Sequence, residues 1–393
     1  MKNIVIVDAA RTPMGAFSGQ FKNLSAVDLG AEVIKHLTKN SDIQVDEVFM
    51  GCVLQAGLGQ SAARQSAIKA GLSNAIPCTT FNKVCGSAMQ SMISAIDAIK
   101  SGRLKTVIAG GMESMTNAPY LLDKARAGYR AGHGQLTDSL YKDGLEDALT
   151  VNSLKQPNLM GVFAEKLAEK YHFTREEQEN FAKTTFENYQ NNKQHIQNEI
   201  SGVDDYDRKG NVTKIDTDEP PQKVIVEKFS NLRPAFGKEG TITAATSSSL
   251  ADGAAGLLLM DEDLAKEKTL TPLATIIGIQ TYAGDPEWFG EAPVYAIEKL
   301  LAQLKWTADS VDLFEINEAF AVVPMAVIKH FNIDRSKMNV FGGACTLGHP
   351  LGASGARIIV TLMNALRVKK LKRGIASACI GGGEAIAIAI ELN

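Results

Sequence analysis

The chain has 393 residues, and its 41 Lys and Arg nearly balance 44 Asp and Glu to leave a formal charge of −3, so no global field marks nucleic acid or an acidic membrane as the partner. A hydrophobic share of 45% and a charged share of 22% are ordinary globular values; they exclude a disordered chain and allow two or three domains of roughly 100–200 residues each. The five cysteines (Cys52, Cys78, Cys85, Cys345 and Cys379) are odd in number and lack CxxC spacing, which argues against a disulfide framework or a metal site and for reduced thiols in the cytosol.

The chain opens on a Val/Ile strand at 4–7, with neither the apolar core of a signal peptide nor the arginine-rich helix of a transit peptide. Apolar runs such as 256–260 are far shorter than the ~20 residues of a membrane span. A soluble protein of the cytoplasm, with no membrane partner, is expected. An amphipathic stretch at 24–37, a strand at 48–53 and a second amphipathic stretch at 62–70 set the rhythm of an α/β domain. Residues 79–82 then lead into Lys83-Val84-Cys85-Gly86-Ser87. Ala88, Met89, Met92, Ile93, Ile96 and Ile99 follow at helical spacing, Gly102 stops the helix, and 106–111 supplies the next strand.

From 119 to 250 the character changes. A polar stretch at 170–198 carries a helical pattern and 204–210 is a charged run, so this part reads as an inserted, partly helical region with exposed loops, where substrate contacts are often placed. Beyond it, an apolar strand at 311–316 ends in Asn317-Glu318-Ala319-Phe320. Residues 339–341 precede a glycine-rich turn, a helix runs from about 354 to 366, and a strand at 374–379 opens a glycine run. The plan of the first third is repeated, which suggests a duplicated domain.

Four residues stand where chemistry is possible. Cys85 lies between a strand and a helix, where the helix dipole favours thiolate; the alternative is a small buried core residue. His349 sits in Gly348-His349-Pro350-Leu351-Gly352, a loop open enough to bring an imidazole to a thiol, or it merely caps a turn. Cys379 ends a strand before Ile380-Gly381-Gly382-Gly383, whose amides suit a developing oxyanion; a core cysteine beside a tight turn is the rival reading. A phosphate cradle is disfavoured there, because 385–390 reads as a strand rather than a helix. Asn317 is suited to orienting a water, or to capping a helix over 319–330.

Asn82-Lys83-Val84-Cys85-Gly86-Ser87, Gly110-Gly111-Met112-Glu113-Ser114-Met115, Asn317-Glu318-Ala319-Phe320 and Gly348-His349-Pro350-Leu351-Gly352, in this order and spacing, resemble the thiolase family over nearly the whole chain. The resemblance implies an α/β fold of duplicated halves with five-layered α-β-α-β-α packing and an inserted loop domain. The N-terminal half would span 1–118 and 251–270, the loop domain covering coenzyme A 119–250, and the C-terminal half 271–393. It also implies a reversible Claisen condensation of two acetyl-CoA through an acetyl-cysteine. Cys85 would be the nucleophile, His349 its activator and Cys379 the group that moves the α-proton. Gly381 with the Cys85 amide would form one oxyanion hole, and His349 with a water on Asn317 the other.

Ser248 matches the position that meets the pantetheine arm, and Met160, Phe236, Phe289 and Phe320 the substrate pocket. Arg208-Lys209-Gly210 lies in the stretch near the nucleotide end in relatives, although basic residues there are more often simply solvated. Acetyl-CoA or another acyl-CoA and CoA are the implied partners, with no resident cofactor, no metal and no nucleic acid; a homodimer or homotetramer is implied. The stretches 53–60 and 132–139 look closest to the branch that joins acetyl units. Leu159 before Met160-Gly161, Phe289 for a methionine, Gln222 for an arginine and Thr246 for an asparagine depart from the pattern and leave chain length open. Ala88 and Ala385, where glycine is usual, each add a methyl group near a catalytic loop, expected to shift it slightly. Two rivals stay open: a degradative thiolase for longer 3-ketoacyl-CoA, and a thiolase-like acyl-CoA or lipid carrier without catalysis, against which two reactive thiols argue.

Overall fold

The computed structural model describes residues 3–39, 43–152, 155–206 and 209–393. Arg208, discussed above with the nucleotide end, lies outside the described residues. Ten strands carry the fold: β1 (Ile4–Arg11), β2 (Gly15–Ala16), β3 (Glu47–Gly51), β4 (Cys78–Phe81), β5 (Thr106–Ser114), β6 (Ala251–Asp261), β7 (Ala274–Ala283), β8 (Leu313–Ile316), β9 (Arg373–Ile380) and β10 (Glu384–Leu392). They form one mixed sheet in the order β8-β9-β10-β7-β1-β6-β5-β3-β4, with β2 on β6. The helices around it are α1 (Ala26–Thr38), α2 (Ala62–Lys69), α3 (Ser87–Lys100), α4 (Met160–Tyr171), α5 (Arg175–Ile196), α6 (Ala292–Leu304), α7 (Val322–Phe331) and α8 (Ser354–Lys369).

The sheet is two half-sheets joined at a narrow seam. β1 meets β7 only from Ile4–Ile276 to Ile6–Ala274, whereas β6 pairs with β5 from Asp252 to Met260. On either side of the seam the same strand order recurs: β1-β6-β5-β3-β4 and β7-β10-β9-β8. In the second half the counterpart of β4 shrinks to a single bridge between Phe314 and Met338. The duplication expected from the sequence is therefore present in the backbone.

Strand alternation separates the layers. In β10, Ile386, Ile388 and Ile390 enter one core and Ala385, Ala387 and Ala389 another; all are buried, as strands covered on both faces require. In β6, Leu257 and Leu259 share the first core, while Ala254 and Leu258 face a third. That first core holds α3 (Met89, Met92, Ile96) and α8 (Ile358, Ile359, Leu362), sandwiched between the half-sheets. Outside lie α1 and α2, packed through Leu29, Val33 and Ala67, and on the far side α6 and α7, packed through Val294, Ile297 and Val323. This is the five-layered α-β-α-β-α arrangement. It brings the N-terminal ends of α3 and α8, the two central helices, to the region where the site lies.

The inserted stretch is tied to the core by a buried polar node. Arg11, at the end of β1, bonds Glu199 at 2.9 Å and Asp218 at 2.7 and 3.0 Å. Glu199 also accepts from Thr361 and Asn364 of α8. A buried carboxylate is tolerable only with such partners, and here they fix both ends of the 199–218 segment against the sheet. Within that segment, part of the charged run expected to be loop forms a short hairpin, Val203–Tyr206 with Val212–Ile215. α5 begins on a reciprocal cap between Thr174 and Glu177, which explains where the polar helical pattern starts. No helix among the described residues is long and apolar enough to cross a membrane.

Candidate active site

Between β4 and α3 the chain makes a strained turn. Val84, a β-branched residue, sits at φ 47°, a conformation its side chain disfavours. Its amide donates to Asn82 Oδ1 at 3.0 Å, and the Ser87 hydroxyl donates to its carbonyl at 2.7 Å while accepting from the Lys83 amide at 2.8 Å. The next residue, Cys85, is thereby presented just before α3. Gly86 keeps this turn close to β9, since a Cβ there would lie 2.3 Å from the end of the Ile380 side chain and would force it to shift.

The backbone N–H groups of Gly381 and of Cys85 itself point at the sulfur and favour thiolate. Burial acts the other way and prevails, pushing the thiol up to about 11. The helix-dipole expectation is thus corrected: desolvation at this half-buried position outweighs the amides, and the resting group is a thiol.

His349 is buried and its ring is fixed at both nitrogens. Nδ1 lies 2.5 Å from Ser354 Oγ, and Ser354 Oγ donates to the Pro350 carbonyl at 2.9 Å. The hydroxyl proton being committed, Nδ1–H is the donor, which leaves Nε2 as an acceptor for Asn317 Nδ2 at 3.3 Å. Burial, with a smaller contribution from nearby Arg357, lowers the imidazole to about 3, so the ring is neutral and available as a base. Asn317 does not cap the following helix, which starts at Val322 with Ala321 in the cap position. Its Oδ1 is buried with no hydrogen-bond partner among the described residues, leaving an acceptor for a water or a ligand.

Cys379 stands at the end of β9, opposite Ala385 on β10 and fully buried. Burial and the neighbouring Cys85 sulfur raise its thiol well above the ordinary range. Gly382 at φ 96° and Gly383 at φ 88° then reverse the chain into β10, so the glycine run opens a strand and no helix dipole backs it. Ala88 packs in the central core and Ala385 in the outer one, where both methyl groups are taken up by close packing.

Cys85, His349 and Gly381 line one cavity of about 800 Å³, together with Ser248, Met160, Phe236, Phe289 and Phe320. That is ample for an acyl-thioester arm by the roughly 300–1,000 Å³ of small-molecule sites. Asn317 and Cys379 stand just behind its wall, the first against His349 and the second beside Cys85. Phe320 packs edge-on against Phe236 at 5.7 Å and Phe289 at 6.3 Å, making an aromatic end to the cavity. The Ser248 amide donates to the Ala319 carbonyl at 3.0 Å, which seats the serine loop beside Phe320.

Two buried carboxylates had no role assigned from the sequence. Glu113 accepts from the amides of Val53, Leu54 and Gly352 at 3.1, 3.0 and 2.8 Å, joining the loop after β3 to the loop that carries His349. Burial pushes it up to about 7 despite those amides. Glu318 accepts from Thr185, Asn339 and the Cys345 amide, fixing the start of the glycine loop before His349. The available signal was a charged residue inside a wholly buried apolar strand, Thr106–Ser114. Wall residues 141–149 were also not foreseen. Among the described residues no cluster of His, Cys, Asp and Glu suits a metal ion.

A neutral thiol and a neutral imidazole lining one cavity have a measurable consequence. Alkylation of Cys85 by iodoacetamide is expected to keep climbing with pH past the ordinary thiol value of 9.0, because the folded protein holds its proton to about 11. A plateau reached already below pH 7 would reveal a resting thiolate–imidazolium pair and contradict this geometry.

Family models described as "Thiolase, N-terminal domain" and "Thiolase, C-terminal domain" match residues 4–263 and 270–392. A probable acetyl-CoA acyltransferase of Staphylococcus aureus (strain COL) is 43% identical over 397 residues, covering 100% of this chain and 99% of that protein. Among solved structures, the acetyl-CoA acetyltransferase of Bacillus anthracis superposes with a TM-score of 0.95 at 38% identity, covering 100% of this chain and 99% of that one. A thiolase from Ascaris suum in complex with coenzyme A superposes with a TM-score of 0.91 at 39% identity, with 100% of both chains covered.

Proposed function

The chain belongs to the thiolase family and is an acyltransferase, and from that premise we propose that it catalyses the reversible condensation of two acetyl-CoA to acetoacetyl-CoA and CoA. The observation that carries this reading is the sharing of one cavity by the Cys85 sulfur, the Gly381 turn and the neutral His349 ring, with a second thiol, Cys379, directly behind.

In the first half-reaction His349 Nε2 takes the Cys85 proton as the sulfur attacks the thioester carbonyl. The amides of Cys85 and Gly381, already aimed at this spot, hold the oxyanion. The carbon–sulfur bond to CoA breaks, the proton passes to the leaving thiolate, and CoA departs, leaving acetyl-Cys85. In the second, Cys379 first gives its own proton to His349 Nε2, and the resulting thiolate removes a methyl proton from another acetyl-CoA, whose enolate oxygen accepts from the new Nε2–H of His349 and from a water on Asn317 Oδ1. The enolate carbon attacks the acetyl group on Cys85, the carbon–sulfur bond to Cys85 breaks, and the leaving thiolate takes the proton from His349, so that both thiols and the neutral ring are restored. A thioester α-hydrogen is a weak acid, so its removal needs both a close base and a stabilised enolate, and one thiol cannot be acylated and act as base at once. Two thiols match two roles.

We read residues 119–250 as the loop domain over coenzyme A, with Ser248 beside the pantetheine arm and Met160, Phe236, Phe289 and Phe320 around the acyl group. A coenzyme A thioester enters as substrate, and no resident cofactor is needed. Location in the cytoplasm and a homodimer or homotetramer complete the reading. The bulk of Phe289 and Phe320, both largely buried, favours a short acyl chain. Thiolysis of acetoacetyl-CoA is expected to exceed that of an eight-carbon 3-ketoacyl-CoA by about tenfold in kcat/KM. Strong preference for the longer substrate would replace this reading by that of a degradative thiolase.

A further inference from the structure

Two turns far apart in the chain meet at the Cys85 sulfur. One runs through Asn82, Lys83 and Val84, the other through Gly381, Gly382 and Gly383, and each supplies one N–H to the sulfur, from Cys85 and from Gly381. The first turn is strained, with the β-branched Val84 held at φ 47°, and the second is built from glycines at ease in the left-handed region, Gly382 at 96° and Gly383 at 88°, with no side chains of their own to fix it. The distance between the two N–H groups is therefore set by whatever holds one turn against the other. Packing does part of this, since Gly86 and Ile380 approach so closely that a Cβ at Gly86 would displace the Ile380 side chain.

Besides this packing and the Gly381 N–H to the sulfur, an ionic contact joins the turns. Lys83 and Glu384 are the only charged residues within 82–86 and 380–384, and Lys83 Nζ lies 2.5 Å from Glu384 Oε2 across 301 residues of sequence. Glu384 is anchored by the β-ladder, where it pairs with Ile380 at the mouth of the β9–β10 turn. Lys83 directly precedes the strained Val84. Their side chains are 26% and 34% exposed, more sheltered than a free surface pair yet open enough that neutralising either strands no charge in the core. Neither residue lines the cavity, so neither touches the acyl group.

We propose that the Lys83–Glu384 ion pair is a positioning latch that keeps the nucleophile turn and the oxyanion turn in register, and so sets the rate of Cys85 acylation without contributing to coenzyme A binding. The latch rests on the acyl-enzyme reading above. An attacking atom and its oxyanion donors must be aligned closely for the barrier to fall, so a small slip between the turns costs rate before it costs affinity.

The test is single-turnover acetylation of the full-length protein by acetyl-CoA, followed by quench and intact-protein mass. Lys83→Met and Glu384→Gln are each expected to slow acetylation roughly tenfold, with KM for acetyl-CoA within about twofold and melting temperature little changed. Lys83→Arg should keep most of the rate, and the exchanged pair Lys83→Glu with Glu384→Lys should recover most of what the single variants lose. Single variants that acetylate at the wild-type rate overturn the latch. So does an exchanged pair as slow as the single variants, because the ionic contact would then not be what matters. A wild-type protein that takes up no acetyl group overturns the acyl-enzyme reading itself, an outcome distinct from a wild type that acetylates and single variants that keep pace with it.

Discussion

Cys85→Ala is expected to lower condensation and thiolysis by roughly 10⁴-fold or more, because among the described residues Cys85 brings the one thiol that lines the cavity. The same variant should lose exchange of label between acetyl-CoA and free CoA, which reports the first half-reaction alone. Its fold should survive: the side chain is half-buried at the cavity wall, and the turn around it is held by Asn82 and Ser87 rather than by the sulfur. The informative comparison is between exchange activity and melting temperature. Loss of exchange with an unchanged melting curve assigns the effect to chemistry, whereas substantial residual condensation would remove Cys85 from the role of nucleophile.

Cys379→Ala is expected to separate the two halves of the reaction. Exchange of label should persist within about tenfold of wild type, while condensation falls by roughly 10²–10⁴-fold, the usual worth of a positioned acid–base group. The separation follows from geometry. Cys379 lies behind Cys85 and does not line the cavity, so it does not hold the first thioester, yet it stands beside the sulfur on which the second step takes place. Parallel loss of both activities would mean that Cys379 supports Cys85 structurally and would cancel its assignment as the base.

Much of this architecture was legible in the sequence because it is written in local patterns. The alternation of Ile and Ala in Glu384–Leu392, the helical spacing from Ala88 to Ile99 and the capping pair Thr174 and Glu177 each depend on neighbours within a few residues. The ordered motifs around Cys85, Asn317 and His349 likewise stand at turns that the strand and helix pattern delimits. What remained hidden depends on contacts between distant segments. That Asn317 caps no helix emerged only when the chain placed the helix start at Val322 and brought His349 against the amide.

The protonation of Cys85 was misjudged for the same reason. A helix N-terminus is visible in sequence, but the desolvation that outweighs it comes from walls contributed by other parts of the chain. Glu113 was quoted only as part of a motif, since its three amide partners lie on loops after β3 and before α8. Sequence showed a charge in an apolar strand, and only the fold showed what the charge holds.

The central claim is that an acetyl group comes to rest on one particular sulfur. Incubation of the wild-type protein with acetyl-CoA, rapid acid quench and peptide mapping by mass spectrometry test it directly. One acetyl group per chain on the peptide containing Cys85, removed on addition of free CoA, is the predicted result. An unmodified Cys85 with acetyl-CoA nonetheless bound, or an acetyl group lodged on Cys379 instead, would contradict the account.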